Sequence, residues 1–198
     1  TFIFFMWILF TLQFFGTEYN KLYVNNNGFL TFGQAVSSPY SSMFRSGYDI
    51  IAPFWSNWNT TKSGVISYLT SGSVLEQATS DLHQYFPELN FTATWVFIVT
   101  WNVMEYYPTM GNVSNTIFQV VLVSDGHLSF IMMNYGNLVG YDTINSTNYF
   151  SMPESFESNI TSLSFTSNVN VTGRWVFRTD SCPNNLVSDC VCAHAFFV

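Results

Sequence analysis

The side chains able to do chemistry are few and lie far apart. Three histidines are present, His83, His127 and His194, and a general base has to sit within hydrogen-bond reach of the proton it takes. His83 falls between Leu82 and Gln84 in a run of helical periodicity, so it reads as a solvated or partly buried side chain. His127 follows Ser124-Asp125-Gly126, a tight-turn sequence, and reads as exposed. Asp49, Glu105 and Asp142 could pair in space as acid and base, as in glycoside hydrolysis, yet their settings read as surface or turn carboxylates. No Gly-x-Ser-x-Gly elbow, phosphate-cradling glycine loop or His-Glu-x-x-His motif occurs. The chain reads as non-enzymatic, with no catalytic residue, cofactor or metal site assigned.

Cysteine chemistry is confined to the last seventeen positions, at Cys182, Cys190 and Cys192. With His194 they could supply four ligands, but zinc sites favour paired ligands at gaps of two to four residues. An odd, clustered set fits better the beginning of a Cys-rich extracellular module, with disulfide partners unknown. The body before Cys182 has no internal disulfide available and must rest on its apolar core. Six Asn-x-Ser/Thr sequons occur, at Asn59, Asn90, Asn112, Asn145, Asn159 and Asn170, and are candidate glycosylation sites if the chain is secreted. Asn112 and Asn145 lie in expected loops and are the favoured acceptors. Asn90 abuts an expected buried strand and is expected to be less accessible.

The remaining chemistry is aromatic. Six Trp and 21 Phe could build a sugar-stacking platform, although burial accounts for most aromatics in a domain without disulfides. Trp95 and Trp101, six residues apart in one strand, share a face, whereas Trp55 and Trp58 fall on opposite faces. Composition narrows the class further. Charged residues make up 9% of the chain and the net charge is −7 with only five Lys and Arg, which is no basis for a phosphate-binding surface.

Such residues need a scaffold, and the pattern is one of strands. Leu22–Gly33 (LYVNNNGFLTFG) reads as a hairpin, with alternating apolar residues around Asn25-Asn26-Asn27-Gly28. Strand-like runs follow at Ile50–Trp55, Val65–Leu69, Ala93–Val103, Thr116–Ser124, Leu128–Asn134 and Arg174–Thr179. One segment differs. Ser73-Val74-Leu75-Glu76 has the form of a capping box, and Val74, Leu75, Ala78, Leu82, Tyr85 and Phe86 fall on one helical face before Pro87. The expected fold is mainly β (a β-rich α+β fold): antiparallel sandwich-like sheets with one flanking amphipathic helix near residues 74–86.

Residues 1–15 are apolar and uncharged. Three readings are open: a signal-like leader, a signal anchor, or a gene-model fragment with part of the run in a first strand. The run is shorter than a membrane span needs. The expected organisation is therefore an apolar leader over 1–15, one domain over 16–181, and the truncated start of a Cys-rich module over 182–198.

Several segments together resemble one family. YVNNNGFLTFG, IIAPFW, HQYFPELNFTATWVFIVTW, NTIFQVVLVSDGHLSFIMMNYG, GYDTINSTNYFSMPES and SNVNVTGRWVFRTD occur in that order, and the chain from Gly16 to Asp180 resembles the NIDO (nidogen extracellular) domain, most of all its alpha-tectorin-like branch. The resemblance implies an extracellular location, as a secreted protein or the ectodomain of a membrane-anchored one. It also implies a non-catalytic role in cell–matrix adhesion or in extracellular or apical matrix assembly, with matrix or cell-surface proteins as partners. The alternative is a carbohydrate-binding module of a secreted or membrane-anchored mucin-like protein, with glycans as partners. Tyr40, Tyr106 and Tyr107, in turn-like settings, are the docking residues suggested by sequence. In two places the chain departs from the family. Ser56-Asn57-Trp58-Asn59 stands where acidic residues are common, and the connection from Asn137 to Gly140 is short.

Overall fold

The structure is a computed structural model; it describes residues 3–36, 49–58, 64–70, 72–105, 115–139, 150–151, 160–181 and 195–197. In chain order the elements are β1 (Ile3–Phe14), β2 (Thr17–Asn25), β3 (Phe29–Phe32), β4 (Ile50–Ala52), β5 (Val65–Leu69), α1 (Val74–Tyr85), β6 (Trp95–Met104), β7 (Thr116–Ser124), β8 (Ser129–Tyr135), β9 (Phe150–Ser151), a 3-10 helix (Ile160–Ser164), β10 (Arg174–Arg178) and β11 (Ala195–Phe197). They form a mainly-β sandwich. One sheet has the order β1-β2-β3-β4-β11-β9 and the other β10-β8-β7-β6-β5.

Alternation turns one side of strands β2, β6, β7 and β8 toward the other sheet. Leu22 and Val24 of β2, Phe97, Val99 and Trp101 of β6, Phe118, Val120 and Leu122 of β7, and Ile131 and Met133 of β8 form the core between the sheets. A second core lies on the outer face of the five-stranded sheet, where Ala78 and Leu82 of α1 cover Val96, Val121, Phe130, Met132 and Val176. A third, smaller cluster of Phe29, Ile50, Ala52 and Trp55, with Val36 against it, closes the outer face of β3 and β4. Trp95 and Trp101 accordingly share the central core, and Trp55 and Trp58 lie in different clusters.

Several boundaries differ from the sequence reading. Of the three readings of residues 1–15, the one that places part of the run in a first strand corresponds to β1, which is described from Ile3 onward and paired antiparallel with β2. Ile8, Leu12 and Phe14 enter the core while Phe5 and Trp7 stand outside. With apolar residues on both faces, the alternation that marks a half-buried strand is invisible in the sequence. Ala195–Phe197, within the expected Cys-rich segment, pairs in parallel with both β4 and β9, so the six-stranded sheet is not antiparallel throughout.

The helix runs from Val74 to Tyr85, but Ser73 does not cap it through its side chain. Its backbone is already helical (φ −60°, ψ −11°) and its hydroxyl makes no capping bond, whereas a capping side chain needs an extended backbone to reach the free N–H groups. The first turn instead closes through backbone, Leu75 N–H to the Gly72 carbonyl and Gln77 N–H to that of Ser73.

Candidate functional site

The Asn-rich turn that dominates the sequence is a junction inside the molecule. Asn25 is opposite Phe29, leaving Asn26-Asn27-Gly28 as the turn. The Asn25 side-chain oxygen accepts from the Asn27 N–H at 2.8 Å, and the Gly28 N–H donates to the Asn25 carbonyl. Gly28 has φ +84°, and a Cβ there would overlap the Phe54 carbonyl oxygen. Such close approach and a left-handed backbone admit glycine alone. Asn25, Asn26 and Asn27 are nevertheless buried. The APFW segment lies over them, with the Ser56 N–H donating to the Asn27 carbonyl.

From the opposite sheet the Trp101 indole N–H donates to the Asn25 carbonyl at 3.0 Å, and the Tyr135 hydroxyl donates to the Pro53 carbonyl at 2.9 Å. Trp101 stacks on Phe118, centroids 5.0 Å apart, and Phe118 meets Phe54 edge-on. Four motif-bearing segments thus converge on one sealed polar knot between the sheets. Backbone groups buried there are hydrogen-bonded, as the low dielectric requires.

A second polar arrangement fastens the helix. Arg174 Nη1 donates to Asp81 and to the Tyr85 hydroxyl, both at 2.8 Å, and its Nε to the Asn134 side-chain oxygen at 2.8 Å. The Asn134 amide donates to Gln119, and that of Gln119 to the Thr100 hydroxyl. Because Ser67, Thr100, Gln119, Asn134 and Arg174 are in cross-strand register, one polar row crosses all five strands beside the helix-covered apolar rows. At the end of β10, Arg178 holds Asp180 through two bonds of 2.7 and 2.8 Å. That hydrogen bonding raises the guanidinium pKa against the opposing effect of burial.

Of the residues singled out for enzymatic chemistry, His83 and His127 lie on separate elements, α1 and the β7–β8 turn. His83 is exposed and its Nε2 donates to the Phe91 carbonyl at 2.6 Å. It shares an open groove of about 410 Å³ with Glu76 and Ser80 of the same helix. His127 is exposed in the β7–β8 turn, where Asp125 accepts from the His127 and Leu128 N–H groups. Glu105 is buried and Asp49 half-buried, while Asp142 lies outside the described residues. Among the described residues no three His, Cys, Asp or Glu side chains cluster as a metal site would require.

Of the sequons, Asn90 and Asn170 are exposed. The expectation of limited access at Asn90 does not hold, because Phe91 points inward and leaves Asn90 and Thr92 outside. Asn59, Asn112, Asn145 and Asn159 lie outside the described residues, as do Cys182, Cys190, Cys192, His194, Tyr40, Tyr106 and Tyr107. Sequence reasoning missed the exposed apolar side chains. Phe5 and Trp7 of β1 are 58% and 61% exposed, and Val65, Tyr68 and Leu69 of β5 are also exposed. These two edge strands meet through Phe4 and Tyr68, with ring centroids 5.3 Å apart. No helix among the described residues is long and apolar enough to cross a membrane.

Fold and site together define a mainly-β sandwich domain whose motif residues form a structural junction. The nidogen-like domain family matches residues 20–181, and the chain belongs to that family. It is 37% identical to alpha-tectorin of Mus musculus over 84% of this chain, and 36% identical to that of Homo sapiens. It is 27% identical to dendrite extension defective protein 1 of Caenorhabditis elegans over 90% of the chain. The chain spans 9% of the two tectorins and 17% of the worm protein. No solved structure matches.

Proposed function

We propose that this domain is a non-catalytic extracellular module for cell–matrix adhesion or for extracellular or apical matrix assembly. Its partners on this reading are matrix or cell-surface proteins, within a secreted or membrane-anchored parent. The family membership supports the extracellular setting that the resemblance implies. One observation carries the mechanism: Phe5 and Trp7, in edge-on contact, stand exposed on the outer face of β1, and Val65, Tyr68 and Leu69 stand exposed on β5, the edge strand that β1 meets. Clustered exposed apolar side chains mark interaction sites on protein surfaces. If the module is glycosylated, Asn59, Asn90, Asn112, Asn145, Asn159 and Asn170 are the candidate acceptors, of which Asn90 and Asn170 are exposed among the described residues. A carbohydrate-binding role calls for coplanar exposed rings, whereas Phe5 and Trp7 stand at 82°.

Capture of the purified domain by insoluble matrix fractions and by cell surfaces tests the reading. Saturable binding is expected; recovery of all the protein in the unbound fraction would reduce the domain to an inert spacer. A glycan array read in parallel is expected to stay silent.

A further inference from the structure

Among the described residues one sheet ends in β1 and β9 and the other in β10 and β5, and the edges of β1 and β10 are closed by recognisable devices. β1 breaks register between Trp7 and Leu12, and its far end is tied to the other sheet: the Ser124 hydroxyl donates to the Thr11 carbonyl, and the Gln13 N–H to the Ser129 hydroxyl. β10 carries Arg174 and Arg178, and the Asn168 amide occupies both the N–H and the C=O of Val176. Short length, bulges, charge and side-chain plugs are how chains keep sheet edges from pairing.

β5 has none of them among the described residues. Val65-Ile66-Ser67-Tyr68-Leu69 is regular in register with β6, uncharged and free of proline. Alternate residues of an edge strand turn their N–H and C=O away from the sheet, so β5 presents a ready template for another strand.

We infer that the occupant of this edge is β5 of a second copy, paired antiparallel about a two-fold axis through Ser67. The inference rests on the assembly reading above and gives it a partner. Three features of the strand favour a second copy. The segment is self-complementary about Ser67: Val65 meets Leu69 of the second copy, Ile66 meets its Tyr68, and the two small serines face each other on the axis. An isologous contact needs this symmetry. The polar row of Thr100, Gln119, Asn134 and Arg174 runs into Ser67, so the pairing continues it across a ten-stranded sheet while the apolar residues keep to their own rows.

The third feature is charge. Two chains of net charge −7 repel over most of their surfaces, and neither β1 nor β5 contains a charged residue.

Sedimentation of the intact chain across micromolar concentrations reads the association directly, and Ser67 variants locate it. The wild type is expected to dimerise. Ser67→Lys and Ser67→Asp place like charges face to face on the axis and each weakens the dimer about tenfold or more. An equimolar mixture of the two restores a heterodimer, a recovery that mere structural damage would not give. Leu69→Lys, at an exposed position, provides a second variant with the same expected loss.

A wild type that stays monomeric throughout overturns the inference and leaves the adhesion reading intact, since matrix capture is measured separately. Dimers that persist unchanged in folded Ser67 and Leu69 variants place the interface elsewhere and overturn it too. A monomer whose capture by matrix is lost in Ser67→Lys alone assigns the edge to a strand of a different protein, and equally overturns the second copy.

Discussion

The Asn25–Gly28 junction and the β1–β5 seam use their residues in opposite ways. At the junction three asparagines, polar residues that belong at a surface turn, are sealed beneath APFW and tied to Trp101 of the other sheet. At the seam, Phe5, Trp7, Val65, Tyr68 and Leu69 stand in solvent. The difference separates what specifies the fold from what is available to a partner. Buried polar groups tied into hydrogen bonds fix one arrangement and face no partner, whereas exposed apolar groups contribute little until another surface covers them.

Perturbing each region should therefore give contrasting results. The largest effect is expected from Gly28→Ala, where a positive φ and overlap with the Phe54 carbonyl act together. A loss of about 3 kcal/mol is expected in denaturant unfolding, and a near-neutral result would detach the junction from the fold. Trp101→Phe removes the bond to the Asn25 carbonyl and part of a fully buried side chain, with an expected cost of about 2 kcal/mol. Arg174→Ala, which releases Asp81, Tyr85 and Asn134, is expected to cost about 1 kcal/mol because the pair is partly solvated. Faster hydrogen exchange confined to α1 would accompany it. Trp7→Ser sharpens the contrast from the other side: stability should stay within about 0.5 kcal/mol of wild type, as the indole is 61% exposed.

Much of the scaffold was legible before any coordinates. Val65–Leu69 and Thr116–Ser124 are strands over the residues read from alternation, and the helical face of Ala78 and Leu82 packs as its spacing implied. The Asn-Gly turn was legible as a turn but its burial was not. Local turn chemistry sets φ and ψ, whereas the segment packed over the turn comes from 26 residues further on, at Phe54 (54 − 28 = 26). The first strand was obscured because Phe5 and Trp7 make its outer face as apolar as its inner one, so hydropathy could not separate a leader from an edge strand. The same run hid the seam. Ser73 shows the limit of motif reading, since its spacing to Glu76 suits a capping box while its backbone angles do not permit one.

The most direct test of the division between junction and seam is matrix capture by a Phe5→Ser/Trp7→Ser double variant, compared with wild type at equal concentration. Denaturant midpoints are measured on the same samples. An unchanged midpoint with capture largely lost is the result predicted here. Full capture by a variant that unfolds at the wild-type midpoint would contradict it, and would move the binding surface away from the β1–β5 seam.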